Sequence, residues 1–351
     1  MLAPVTHILP LTTITRKRLL PVDGRVIAKL GQKVNPTDVV AEAVIGHKHL
    51  IVDVAKLLRV SPRRAAGLIK AKKGNQIGKG EVIAESAGFF AREAISPNDG
   101  RVVAVGGGKL VLETEGSSFE LAAGIPGVVT EIIGEHGVVI RSTGSVVQGL
   151  WGNGRLETGV MVSVMDSADE VFDANRLDIS IRGSIVLGGF TEDPNVIKSA
   201  IELPARGLIL ASMSPALLPA AMQAPFPIIL IDGFGRRPMN SVAYKLLSTN
   251  IKRDVALNAE IYDRLNGTRP EVFIPLPVSH EPPELREVET FAPGQVVRVI
   301  RLIAPSQVGT LEQLLTNPAT LASGLKAKAA EVRLENGKVI VVPLTNLEVL
   351  G

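Results

Sequence analysis

One phrase occurs twice in this chain, and it limits the fold more than any other feature. Gly31-Gln-Lys-Val34-Asn-Pro-Thr-Asp38-Val-Val-Ala41-Glu42 recurs as Gly74-Asn-Gln-Ile77-Gly-Lys-Gly-Glu81-Val-Ile-Ala84-Glu85. In each copy a glycine and two polar residues precede a β-branched residue. Turn formers then lead to an acid, two β-branched residues and Ala-Glu. That order specifies a short strand, a turn and a second strand with inward Val or Ile. Asp-Gly-Arg-Val stands at 23–26 and again at 99–102, flanking the two phrases. Two hairpins, each with its own Asp-Gly-Arg-Val strand, predict a pseudo-symmetric sandwich made by interlocking halves.

Composition supports a strand-rich chain. At 351 residues it is long enough for two or three cores. Hydrophobic residues make up 46% and aromatics only 3%, so those cores are built from Val, Ile, Leu and Ala. With 34 Gly and 23 Pro, turns are frequent, as many short strands require. The absence of cysteine excludes disulfides, thiolate metal ligands and thiol nucleophiles, and fits a reducing, cytoplasmic compartment. No basic, apolar leader opens the chain, so a secretory signal is not expected. Residues 207–231 carry no charge over the length of a membrane span, but Pro215, Pro219, Pro225 and Pro227 would break a helix in lipid. A buried strand–helix–strand is expected there.

The order of elements predicts three units. Residues 12–165 alternate short strands with glycine turns and should form a sandwich-like β domain. Residues 166–268 alternate apolar strands with short helices, the pattern of a small three-strand parallel α/β domain. Residues 269–351 return to β. Within the first unit, Ser61-Pro62 marks a helix start and predicts a short helix over 63–72.

The twin phrases, through Gly31, Val34, Asp38, Val39 and Ala41, and Gly74, Ile77, Gly80, Glu81, Val82 and Ala84, resemble the barrel-sandwich hybrid of biotinyl and lipoyl carrier domains. A carrier of that kind bears its lysine at a hairpin tip in a Met-Lys-Met or Asp-Lys-Ala setting. Lys48 follows Ile-Gly-His instead, so the resemblance implies a non-carrier relative with no prosthetic group. Near the C-terminus, Phe291-Ala-Pro-Gly294-Gln-Val-Val-Arg298-Val299 with Gly309 resembles the KOW motif of SH3-like barrels in transcription elongation factors and ribosomal proteins. The resemblance implies a turn at Gly294, inward Val297 and Val299, and a bulge at Gly309. The tip, 302–307, departs from the family's Gly-Pro-Phe-type loop.

Two groups of residues could carry function. The loop Asp232-Gly233-Phe-Gly235-Arg236-Arg237 follows a buried strand and opens a helix. Its glycines would admit a ligand, and its arginines would pair with a carboxylate or phosphate. Gly188, Gly189 and Ser212 should line the same edge, giving an enzyme or anion-binding reading. The second group is basic: Arg59, Arg63, Arg64, Lys70, Lys72, Lys73 and Lys79. Residues 1–110 hold 18 Lys/Arg against 8 Asp/Glu, although the whole chain is only +3. Such asymmetry calls for an anionic partner, or for the two parts touching each other. His47 and His49 are too few for a metal site and read as a solvated hairpin tip, so no metal or cofactor is expected. The preferred expectation is a non-catalytic adaptor binding a macromolecular partner, most simply a protein, through the basic patch. Catalysis at the 232–240 loop and KOW-type nucleic-acid binding are the alternatives.

Overall fold

In the computed structural model the described residues are all except 1, 47, 88–90, 115, 264–266, 279, 281, 286–288, 301–306 and 322. The fold is mainly β, organised on one large mixed sheet. Its parallel part runs Ile228–Leu230, Gly207–Met213, Ser184–Thr191, Leu156–Ser163. Antiparallel strands Asp254–Asn258, Glu271–Pro275, Gly137–Gln148 and Gly127–Ile133 continue it. Ser184–Thr191 and Gly207–Met213 are buried along their whole length, because both faces are covered. One face packs on the helices Pro194–Glu202 and Leu218–Gln223, through Val196, Ile197, Ala200 and Ala221. The other packs on the helix Ser241–Ser248 through Ala243 and Leu247.

The sequence anticipates three parallel strands, whereas four are present. The fourth, Leu156–Ser163, comes from the stretch assigned to the first unit, and Glu271–Pro275 comes from the stretch assigned to the last. The sheet therefore runs unbroken across residues 165 and 269. The charge-free run 207–231 is the strand–helix–strand expected of it, with Pro215 and Pro219 in helical first turns. Among the described residues no helix is long and apolar enough to cross a membrane.

The twin phrases do not close on each other. Each folds within its own module, and the second module is inserted into the first. Gly31 N donates to Val129 O at 2.8 Å, and Gly74 N to Val102 O at 2.7 Å. Val129 N returns a bond to Gln32 O, as Val102 N does to Asn75 O, both at 2.9 Å. The acid of each phrase bonds back to a turn amide, Asp38 to Asn35 N at 2.7 Å and Glu81 to Gly78 N at 2.8 Å. Both copies then show a one-residue bulge, between Val129 and Glu131 and between Val102 and Ala104. The match extends to the first strand: Arg18 opposes Val138 as Val52 opposes Leu110. Two cores result, one around Val34, Val40, Leu121 and Ile140, the other around Ile77, Ile83, Val102 and Leu112.

This equivalence also reassigns the Asp-Gly-Arg-Val strands. Gly100 pairs with Ile77 as Gly127 pairs with Val34, so residues 99–102 correspond to 126–129. The counterpart of Val26 opposite Ala41 is Ile69 opposite Ala84. The host module makes a turn after Leu20, where the inserted module has two helices, Val54–Leu58 and Pro62–Leu68. The second helix ends before residue 72 because Ile69 turns extended to bridge Ala84.

A six-stranded sheet forms the C-terminal unit, in the order Val5–Thr6, Leu347–Leu350, Val296–Val299, Gln307–Leu314, Ala329–Leu334, Val339–Pro343. Its end strands are not paired with each other among the described residues, so it does not close as a barrel. Val297 and Val299 are buried with Phe291, Leu311 and Val349, and Gly294 turns at φ +89°. Gly309 is not at a bulge. It sits opposite Leu334, and a Cβ there would lie 2.5 Å from Arg333 O, so close strand approach demands glycine. The register shift falls between Leu311 and Gln313. Of the tip 302–307, residues 302–306 lie outside the described residues. Val308 and Leu350 join the core of the large sheet.

Candidate functional site

The 232–240 loop is a structural joint. Asp232 is fully buried and accepts from Arg298 Nη1 at 2.7 Å and from Asn240 N at 2.8 Å. Asn240 caps the helix Ser241–Ser248 by accepting from Ala243 N at 2.9 Å. Ser212 Oγ donates to Arg237 O at 2.6 Å and accepts from Arg237 N at 3.1 Å, tying the loop to the neighbouring strand. Gly233 and Gly235, at φ +81° and +92°, make the turn. Thus Asp232, Ser212 and the Arg237 backbone are held together by structural bonds. Arg236 is exposed.

Gly188 and Gly189 serve packing. A Cβ on Gly188 would lie 2.6 Å from the Phe172 ring, and one on Gly189 would lie 1.9 Å from Glu170 O. Phe172 N and Phe190 N bond across this contact, so residues 170–172 occupy the space a ligand would need.

Sequence reasoning missed the charged groups behind the joint. Arg298 Nη2 donates to Glu348 Oε2 at 2.6 Å, and Glu348 also accepts from Thr6 Oγ1 and from Arg269 Nη1. Burial pushes the Asp232 carboxyl up, against the pull of Arg298. Burial would also raise Glu348, but Arg298 and the Thr6 hydroxyl hold it below its ordinary value. The two carboxylates outweigh burial at Arg298 and keep its guanidinium charged. Arg298 Nε has no partner among the described residues. Chemically the cluster is a bridge between sheets.

The basic residues are placed differently. Arg59, Arg63, Arg64, Lys70, Lys72, Lys73 and Lys79 are all exposed on the inserted module. Arg59 closes the first helix in the left-handed region at φ +56°, and the Asp53 side chain caps that helix's other end. Arg63 and Arg64 lie in the first turn of the second helix. Lys70 pairs with Glu85 at 2.7 Å, whereas the other six make no ion pair among the described residues. Residues 48–114 hold 12 Lys/Arg against 6 Asp/Glu. Among the described residues the acidic remainder of the chain makes no ion pair with this face, although Arg16–Glu271 and Arg18–Glu260 join the two parts elsewhere. Lys48–Val52 is a strand paired with Lys109–Thr114, so His49 is not at a hairpin tip, and it lies 3.7 Å from Glu113. His47 is outside the described residues.

No protein-family model matches the chain, and no curated protein matches it.

Proposed function

We propose that the protein is a non-catalytic cytoplasmic assembly module that binds an acidic macromolecular partner, a protein, through the basic face of its inserted module. The observation that carries this reading is the set of six exposed cations, without an ion pair among the described residues, on a unit with its own core. Surface cations with no structural ion pair remain available to neutralise an anionic surface. The helices that display Arg59, Arg63 and Arg64 are also where the inserted module departs from its host. The twin phrases of both modules act as frame, in keeping with a non-carrier barrel-sandwich relative, and the C-terminal unit with an SH3-like one.

The test is binding of polyglutamate, compared with single- and double-stranded RNA, at low and raised salt. Polyglutamate should bind in a salt-sensitive way, and Arg63→Glu/Arg64→Glu/Lys73→Glu should weaken it about tenfold or more. No binding at low salt removes the reading. Tighter, salt-steep binding of RNA would transfer the same face to nucleic-acid recognition.

A further inference from the structure

Two buried amides at the floor of one cleft carry donors that the fold does not use. The strand register sets Gln148 opposite Glu271 and Glu271 opposite Asn258, and Gln148 N bonds to His7 O beside it. His7, Gln148, Glu271 and Asn258 therefore form one row, each less than a tenth exposed. The row lies on the sheet face that also holds Val146, Phe273 and Ala256 of the host core. A cleft of about 610 Å³ opens over it, a volume in the range of small-molecule sites.

The charges around this row are already balanced. Arg16 donates twice to Glu271, at 3.1 and 2.7 Å. Arg18 Nη1 donates to Glu260 at 2.6 Å, and Arg269 Nη1 to Glu348 at 3.2 Å. A charged ligand would have to displace one of these pairs. His7 adds no charge at neutral pH, because burial, with Arg16 and Arg269 nearby, holds its imidazole below the ordinary value.

The uncharged groups are not balanced. Gln148 Oε1 accepts from His7 N at 3.1 Å and Asn258 Oδ1 from Glu260 N at 3.3 Å, yet neither amide nitrogen has a partner among the described residues. Neither nitrogen is sealed from solvent, so each opens on the cleft that both residues line. Gly124 leaves room for the second: a Cβ there would lie 3.2 Å from Asn258 Nδ2. His7 Nδ1 donates to Gly351 O at 2.8 Å, which leaves Nε2 of the neutral ring as an acceptor. Buried amides are ordinarily hydrogen-bonded, and here the missing partner must come from the cleft. We infer that the cleft binds a small uncharged molecule with an amide or imide edge, whose carbonyl oxygens accept from Gln148 Nε2 and Asn258 Nδ2 and whose N–H donates to His7 Nε2. Two donors and one acceptor match such an edge, and a mostly buried floor penalises any ligand that leaves them unpaired. This site is independent of the basic face.

Isothermal titration with uracil tests it, against dimethyluracil, whose two ring nitrogens are methylated, and orotate, which adds a carboxylate. Uracil should bind, dimethyluracil about tenfold more weakly for want of an N–H, and orotate no more tightly than uracil. Asn258→Asp keeps the acceptor for Glu260 N but removes the Nδ2 donor, and should weaken uracil binding about tenfold. Thr268→Trp, at a half-buried position of the lining, should block the cleft without touching the polar row. A cooperative urea transition in each variant shows that it is folded. Absence of uracil binding, equal binding of dimethyluracil, or tighter binding of orotate overturns the site. So does uracil binding that Asn258→Asp and Thr268→Trp leave within about twofold of the parent.

Discussion

Arg298 Nη1 meets Asp232 Oδ1 at 2.7 Å, with both side chains almost wholly excluded from solvent. The relationship spans two units, since Arg298 belongs to the strand Val296–Val299 and Asp232 follows the strand Ile228–Leu230 of the large sheet. Glu348 on the last strand takes the other arm of the guanidinium, so a single side chain joins three segments distant in sequence. A buried pair of this sort fixes geometry more surely than it adds stability, because desolvation offsets much of its attraction.

Removing one partner is another matter. Arg298→Met leaves Asp232 and Glu348 facing each other without a cation, and should cost about 3–5 kcal/mol in urea unfolding. Asp232→Asn/Arg298→Met should cost less than the sum of the single changes, because the two residues act as one unit. A single-variant loss below about 1 kcal/mol would show that the bridge does not hold the C-terminal sheet in place.

Acid should weaken the junction through His7. Its Nδ1 bonds to Gly351 O at 2.8 Å, and burial holds its folded-state pKa below the ordinary value of 6.5. The unfolded chain therefore takes up a proton first. The neutral ring's contribution is fully present above pH 6.5 and is lost as pH falls through that value toward the folded pKa, below which it changes no further. Stability measured by urea titration should decline over that window, and His7→Asn should flatten the decline. An unchanged slope in the variant would assign the loss to other groups.

The twin phrases and the buried joint at Asp232 were unequally legible in the sequence. The twin phrases were readable because turn chemistry is local: a left-handed glycine and an acid that bonds back three residues leave a fixed pattern. Their nesting was not. Which strand closes each hairpin depends on pairing between residues as distant as Arg18 and Val138, and Asp-Gly-Arg-Val at 23–26 imitated the wrong partner. The apolar α/β strands were readable from their length and their flanking prolines. Asp232 read as a candidate ligand contact, and its bond to Arg298 was not legible, because that cation lies 66 residues away. A trace of it did exist. Arg298 and Glu348 interrupt Val-Val-Arg-Val and Leu-Glu-Val-Leu, and a lone charge flanked by apolar residues in a strand signals a buried partner.

Arg59 offers a test of the proposed partner face. It is one of two non-glycine residues with positive φ among the described residues, at +56°, where its amide bonds to Ala55 O and Lys56 O. The left-handed region costs an L side chain about 1–2 kcal/mol, and glycine gives back part of that gain as chain entropy. Arg59→Gly should therefore stabilise the protein by about 0.5–1 kcal/mol while weakening polyglutamate binding severalfold. Stabilisation without loss of binding would make Arg59 a bystander to the partner surface.

Nesting makes a stronger claim still, that the inserted module is dispensable for folding of the rest. The module leaves the host after Ile45 and returns at Ser117, which face each other across the host hairpin. Its two ends touch: a Cβ on Gly116 would lie 2.6 Å from Gly46 O. A two-residue Asn-Gly turn in place of residues 47–115 can therefore close the hairpin in its native register. The host core around Val34, Val40, Leu121 and Ile140 shares no member with the inserted core, so the shortened protein should fold cooperatively. Its melting temperature should lie within about 5 °C of the parent's. It should lose polyglutamate binding entirely. Aggregation of the shortened chain, or a broad unfolding transition, would mean that the two modules are one folding unit and that the host frame needs its guest.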